Sequence, residues 1–302
     1  MRKVTICVPA STSNLGPGFD CLGVALRIYN FVTLTRLAPR KPPPLMVRAA
    51  ARLFFKSVRQ SPFPFACTVR GDIPPARGLG SSAALRAGVL CGLNQLAGRP
   101  LHTLSLFQLC SELEEHPDNA APAVLGGFNV VRGGFAQTFR VESQLKFVVL
   151  VPDLEVRTVR ARDLLPSTLQ RAKAVESSRN ACAITAAFAS RKYRNLRGAF
   201  VDHLHQPFRV KMVPFLPGAI AVAEKAGALG AFLSGSGSAI CAVTLGNAER
   251  IAEALRAIDN IRARTIITTA DNTGARIKLQ TSNPPKDGFA VANIKHSRGP
   301  QS

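Results

Sequence analysis

Apolar residues recur along this chain with two different periods, and the changes between them mark out its elements. Val4 to Val8, Val24 to Leu34, Phe65 to Val69, Phe128 to Val131, Leu145 to Val151, Ile240 to Leu245 and Arg264 to Thr269 read as strands, being short runs rich in β-branched and aromatic residues between turn formers. Helical spacing governs Leu85, Val89, Leu93 and Leu96 between Ser81 and Ala97, with Gly98 where a C-cap belongs. A helix is expected at about 45–58, after the Pro-rich break from Ala38 to Pro44. Ser105 and Gln108 form a capping-box pattern before Leu106, Leu109, Cys110 and Leu113. Further helices are expected from Arg179, up to about Ala226, and after Asn247 as a cap, with Ile251, Leu255 and Ile258 on one face. Pro152-Asp153 marks a domain boundary, and Lys278 to Ser302 is polar and Pro/Gly-containing, as a mobile tail would be.

Between the strand ending at Val69 and the helix from Ser81 stands Pro74-Pro75-Ala76-Arg77-Gly78-Leu79-Gly80-Ser81-Ser82-Ala83-Ala84. A helix N-terminus leaves amides without partners and carries partial positive charge, so this turn suits an anion, with Gly78 and Gly80 letting a phosphate approach the main chain. No lysine follows the second glycine, so it is not a P-loop. A second loop, Ala10 to Gly23, places Asn14 and Asp20 around Gly16-Pro17-Gly18; residue physics alone favours a local Asx-type turn there. Glu112, Glu114 and Glu115 crowd a helix C-terminus, against its dipole, just before His116-Pro117-Asp118-Asn119. One of these acids facing Ser81 and Ser82 could hold Mg²⁺ beside phosphates. A third glycine-rich turn, Ser234-Gly235-Ser236-Gly237-Ser238, can close against the first.

Composition narrows the class. With 302 residues, 46% of them hydrophobic, the chain can bury a sizeable core. No run is long enough to span a membrane, and a cytoplasmic location is expected. Seven cysteines without a C-x-x-C pair fit reduced core packing. The formal charge of +21 invites a polyanion partner, but the excess divides evenly between the halves, +10 and +11, and no nucleic-acid module is recognisable.

The three glycine-containing motifs, in this order, resemble those of the GHMP kinases. Pro9-Ala-Ser-Thr-Ser-Asn14-Leu-Gly-Pro-Gly-Phe-Asp20 matches the amino-terminal motif of the homoserine kinase branch. His116, Asp118 and Asn119 match its Glu-Gly-His-Pro-Asp-Asn, with Glu115 in place of the glycine. Pro44 stands where an adenine-holding asparagine is usual. The resemblance implies an α+β fold of two domains: a ribosomal protein S5 domain 2-like domain over 1–151 and an αβ sandwich over 152–277. It implies ATP and Mg²⁺, with phosphates on Pro74 to Ala84, Ser234 and Gly235, and metal on Ser82 and Glu114. L-homoserine would contact Asn14, Asp20, Asn119, Arg179 and Arg209, and catalytic roles carry over to Asp20, His116, Asp118, Asn119 and Arg209. The expected reaction is phosphorylation of the homoserine hydroxyl for threonine biosynthesis, with a homodimer left open. Two rivals stand beside it: a kinase of mevalonate or a sugar, and a weakened paralogue that binds a polyanion.

Overall fold

A computed structural model describes residues 2–39, 41–114, 116–259 and 261–278. In chain order these form β1 (Lys3–Ser13), β2 (Leu22–Thr35), α1 (Leu45–Val58), β3 (Ala66–Gly71), α2 (Ser81–Leu96), α3 (Thr103–Glu114), α4 (Pro117–Leu125), β4 (Phe128–Arg132), β5 (Phe135–Phe139) and β6 (Lys146–Pro152). There follow α5 (Thr158–Asp163), α6 (Arg171–Ser190), a 3₁₀ turn, α7 (Gln206–Arg209), α8 (Leu216–Lys225), β7 (Gly230–Leu233), β8 (Ile240–Thr244), α9 (Ala248–Arg256), β9 (Ala263–Thr269) and β10 (Arg276–Ile277).

The strands build two antiparallel sheets, so the expected α+β class holds. One runs β10-β1-β2-β4-β5 with β3 also on β2, and the other runs β7-β8-β6-β9. Helices α2 and α4 lie on β1 and β2, flanked by α1 and α3, while α8 and α9 cover the second sheet. Alternation along β6 explains how one strand serves two cores. Phe147, Val149 and Val151 enter the larger core, which also holds Ile184 and Phe188 of α6; Val148 and Leu150 enter the smaller one with Leu216, Ala219 and Ile251. Phe188 stacks on Phe128 at 4.2 Å between ring centroids and so ties α6 to the first sheet.

Several boundaries differ from expectation for physical reasons. β1 runs on through Pro9 to Ser13, the register with β2 shifting between Pro9 and Ala10, so the first four residues of what reads as loop are strand. α3 begins at Thr103, two residues before the capping-box serine. Asn247 holds the N-cap position of α9 with φ 58° and makes no side-chain cap. The helix expected from Arg179 begins at Arg171. α4, β5 and β7 are too short or too uniformly apolar to show a period. Strand pairing does not follow the division at 151/152, because β6 belongs to the second sheet and β10 returns to the first. Of the expected tail, Lys278 donates its backbone N–H to Thr5 O, extending β10, and 279–302 lie outside the described residues.

Gly23 shows how tightly α4 is seated. A Cβ there would lie 2.1 Å from the Asp118 carbonyl oxygen and 3.1 Å from Pro122 Cγ. We therefore expect Gly23→Ala to push α4 off β2 and to cost about 1–3 kcal/mol, as overpacking does. Urea denaturation with unchanged far-UV circular dichroism would show this; wild-type stability would disprove it.

Candidate active site

A cavity of about 320 Å³ opens where the end of β1, the turn after it, the start of α2, the end of α3, the start of α4, the segment 156–162 and the 235–236 turn converge. The start of α2 forms one side of it, and a helix N-terminus suits an anion. Gly80 is the N-cap, without any side-chain cap, and the Ala84 N–H makes the bond back to Gly80 O. The amides of the first turn are thus without intrahelical partners, and the Ser81 and Ser82 side chains line the cavity beside them.

Gly78 and Gly80 both line the cavity, and the direction in which a side chain would leave each is filled by protein. Gly78 and Gly80 have φ of +74° and +66°, and a Cβ on either would sit 2.0 Å from Ser234 O or Ser11 Oγ respectively. Their bare faces meet protein, and the turn itself requires them. Ala76 and Leu79 line the cavity, whereas Pro74, Pro75, Arg77, Ala83 and Ala84 do not. Ala83 and Ala84 are buried in the core. Arg77 points to Pro152 O (2.9 Å), Asp153 (3.2 Å) and Glu155 (3.4 Å) instead.

Ser234 and Gly235 hold the two glycine-rich turns together. Ser234 Oγ donates to Gly78 O (2.7 Å) and lies 2.9 Å from Thr12 Oγ1, while the Gly235 N–H donates to Ser13 O (3.2 Å). Gly235 O accepts from Asn14 Nδ2 (3.1 Å) and Arg209 Nη1 (2.9 Å). Asn14 Oδ1 in turn accepts the Asp20 N–H at 3.0 Å. Asn14 is buried, and its amide is engaged at both ends, so it positions Asp20; this includes the local Asx bond that residue physics favours.

At the far end, Asp20 meets Arg162 in a two-pronged pair, with Nη1–Oδ2 at 3.0 Å and Nη2–Oδ1 at 2.6 Å. His116 Nδ1 lies 3.8 Å from Asp20 Oδ2. Phe19 lies under both Arg162 and Arg209, with guanidinium carbons 5.2 and 5.4 Å from its ring centroid. Burial, then repulsion from Arg162, lowers Arg209 to about 10. Burial, then the charge of Asp20, raises Asp118 to about 6, while a Ser13 hydrogen bond pulls the other way. Asn119 is fixed by Ser11 (2.7 Å) and Ser13 (3.0 Å). Burial lowers His205 to about 4, so its imidazole is neutral: Nε2–H donates to Gly16 O (2.9 Å) and Nδ1 accepts from Arg209 (3.1 Å).

Two arginines stand outside the sequence expectation. Arg179 is exposed on α6 and does not line the cavity; Arg162 does, and its Nε–H is buried without a partner. It lies in the Val156–Pro166 stretch, whose resemblance to the family was visible without pointing to one residue. Arg86 is the other. As the sole charge on α2, it needed an acid from another element, and Glu114 of α3 supplies it at 2.6 Å. Glu114 also accepts from Ser82 Oγ at 2.7 Å, and burial raises its carboxyl despite Arg86 and Ser82. A carboxylate and a hydroxyl at the cavity wall are hard oxygen donors suited to Mg²⁺ that keeps waters and phosphate oxygens. Among the described residues no group of three or more His, Cys, Asp or Glu could hold a metal. Glu115 lies outside the described residues, and no described helix is long and apolar enough to cross a membrane.

Comparison with known proteins matches this architecture. The models for the N-terminal domain and the C-terminal domain of GHMP kinases match residues 45–127 and 184–260. The chain belongs to the GHMP kinase family. Within it, the chain is 34% identical to a homoserine kinase of Caldicellulosiruptor bescii, covering 91% of this chain and 96% of that one. It is 36% identical to one of Carboxydothermus hydrogenoformans, covering 80% and 84%. A crystal structure of homoserine kinase from Cytophaga hutchinsonii shares the fold at a TM-score of 0.85 and 24% identity, covering 92% of this chain and 98% of that one.

Two expectations follow from the site. The unfolded His205 binds a proton below pH about 6.5 and the folded one only near 4, so its contribution to stability, present above 6.5, is lost as pH falls through that window. The stability difference between wild type and His205→Gln should shrink by on the order of 3 kcal/mol from pH 7 to 4; a constant difference in urea melts would refute this. Gly80→Ala should weaken ATP binding at least tenfold by straining the turn, and unchanged nucleotide affinity in calorimetry would count against it.

Proposed function

We propose that this chain transfers the γ-phosphoryl group of ATP to the hydroxyl of L-homoserine, giving O-phospho-L-homoserine and ADP, a step toward threonine. The observation that carries this reading is the charge arrangement at one cavity. Asp20 and Arg162 pair beside Arg209 at one end, and the open amides of α2 stand at the other. Homoserine carries an ammonium and a carboxylate on one carbon. Asp20 suits the ammonium, and the arginine forks suit the carboxylate, with the partnerless Arg162 Nε–H ready to donate. Mevalonate and sugars offer Asp20 neutral hydroxyls and no ammonium, and a balanced lining of three acids and three arginines does not favour a polyanion.

ATP phosphates would rest on the α2 N-terminus, beside Ser81 and Ser82. Ser82 and Glu114 would hold Mg²⁺, which when bound offsets phosphate charge. Asn119 and Asp118, fixed at the start of α4, form the wall for the acceptor hydroxyl; Asp118, ionised above about pH 6, can take its proton. Most of the rate would come from positioning and charge compensation.

ADP release should be stimulated by L-homoserine and not by mevalonate or galactose. Asp20→Asn and Arg162→Lys should each lower kcat/KM for homoserine roughly ten- to a hundredfold, the worth of a charge-assisted contact, and leave the KM for ATP near wild type. Turnover of mevalonate without turnover of homoserine, or full homoserine activity in both variants, would overturn the substrate assignment.

A further inference from the structure

Glu114 does not meet the cavity as a bare carboxylate. Its Oε1 accepts from the Ser82 hydroxyl at 2.7 Å and from Arg86 Nη1 at 2.6 Å, and the same Nη1 donates to the Leu113 carbonyl. Arg86 lies one turn beyond Ser82 on α2, between the buried Ala83, Ala84 and Ala87, and it is the one charged residue of that helix. Its side chain is only 19% exposed, and its Nε–H is buried without a partner. The guanidinium therefore grips the carboxylate by a single nitrogen and forgoes the two-pronged pairing that Arg162 makes with Asp20. Such a grip neutralises Glu114 yet leaves part of the cation unsatisfied.

We propose that Arg86 is a positioning residue that serves as an internal counter-cation for Glu114, competing with the divalent ion for that carboxylate and so raising the metal concentration at which the site fills. The proposal rests on the reading of Ser82 and Glu114 as the magnesium ligands. An ion on Glu114 would bind a carboxylate whose Oε1 already accepts two hydrogen bonds, and it would sit within a few ångströms of a fixed positive charge. At the effective dielectric of a protein surface region that repulsion is enough to shift affinity roughly ten- to a hundredfold. Without metal, the same charge offsets the desolvation cost of the largely buried carboxylate. The arrangement makes α2 carry both the phosphate-binding amides and the group that restrains the metal, so occupancy of Glu114 is coupled to the helix that receives the nucleotide.

The test is titration of Mg²⁺ into protein saturated with ADP, read by calorimetry, together with thermal melts with and without Mg²⁺. Arg86→Met, which keeps volume and removes charge, should bind Mg²⁺ roughly ten- to a hundredfold tighter than wild type. Metal-free, it should melt lower than wild type, and it should gain more from added Mg²⁺. Arg86→Lys should stay within a few-fold of wild type, as a purely structural role for the guanidinium fork would not allow. If Arg86→Met fails to fold, Arg86→Gln, which retains a donor for Leu113 O, carries the same expectation. Wild-type or weaker Mg²⁺ affinity in these neutral variants, with Glu114→Gln weakened, would overturn the role of Arg86 while leaving the ligand reading intact. If Glu114→Gln titrates like wild type, the ligand reading fails, and this proposal with it.

Discussion

The carbonyl oxygen of Gly235 fixes the geometry on which the cavity depends. It accepts from Asn14 of the first glycine-containing turn and from the buried Arg209 of α7, while Gly235 N–H reaches back to Ser13 O. Buried polar groups of this kind are costly to leave unpaired, so the turn after β1, the turn after β7 and α7 hold one relative position. The strain this tolerates is visible nearby. Asn14, Leu15 and Asp20 all have positive φ, at 69°, 48° and 59°. Asparagine and aspartate accept that conformation readily, whereas Leu15 does so because it is fully buried and the next carbonyl is held by His205.

Charge is distributed in the cavity by the same economy. Asp20 faces Arg162, Glu114 faces Arg86, and Arg209 is held by carbonyls and a neutral histidine. Each ion that would bind a substrate or metal group already has a protein partner of the opposite sign or a dipole. On the function proposed above, such a site would exchange internal pairs for external ones on binding, with selectivity set by how well the newcomer replaces the old partner.

Much of this was legible in the sequence. α2 appeared because its apolar spacing and the glycine beyond its end agree, and the order of the three glycine-rich motifs pointed to the family. Asp20, Glu114, His116, Asp118, Asn119 and Arg209 do line the cavity. Harder to read was the direction of side chains in loops. Arg179 and Arg162 both sit in family-like stretches, and nothing in spacing distinguishes the exposed one from the one that reaches Asp20. The bare faces of Gly78 and Gly80 could not be assigned either, since a glycine shows the need for space without showing what fills it. Likewise the shared strand β6 was invisible as a shared strand, because a fully apolar run has no polar face to indicate on which side it is exposed.

The return of β10 to β1 has a bearing on how the chain is made. Ile277 pairs with Ile6, and Arg276 joins Asp271 and Tyr29 beside it. β1 is thus made long before the strand that covers this edge. An open edge is a template for pairing with other chains, and until β10 is made none of the described strands covers β1 on that side. The two-residue strand that ends the described fold therefore acts as a closing seam, and removing Arg276 and Ile277 would reopen that edge of β1.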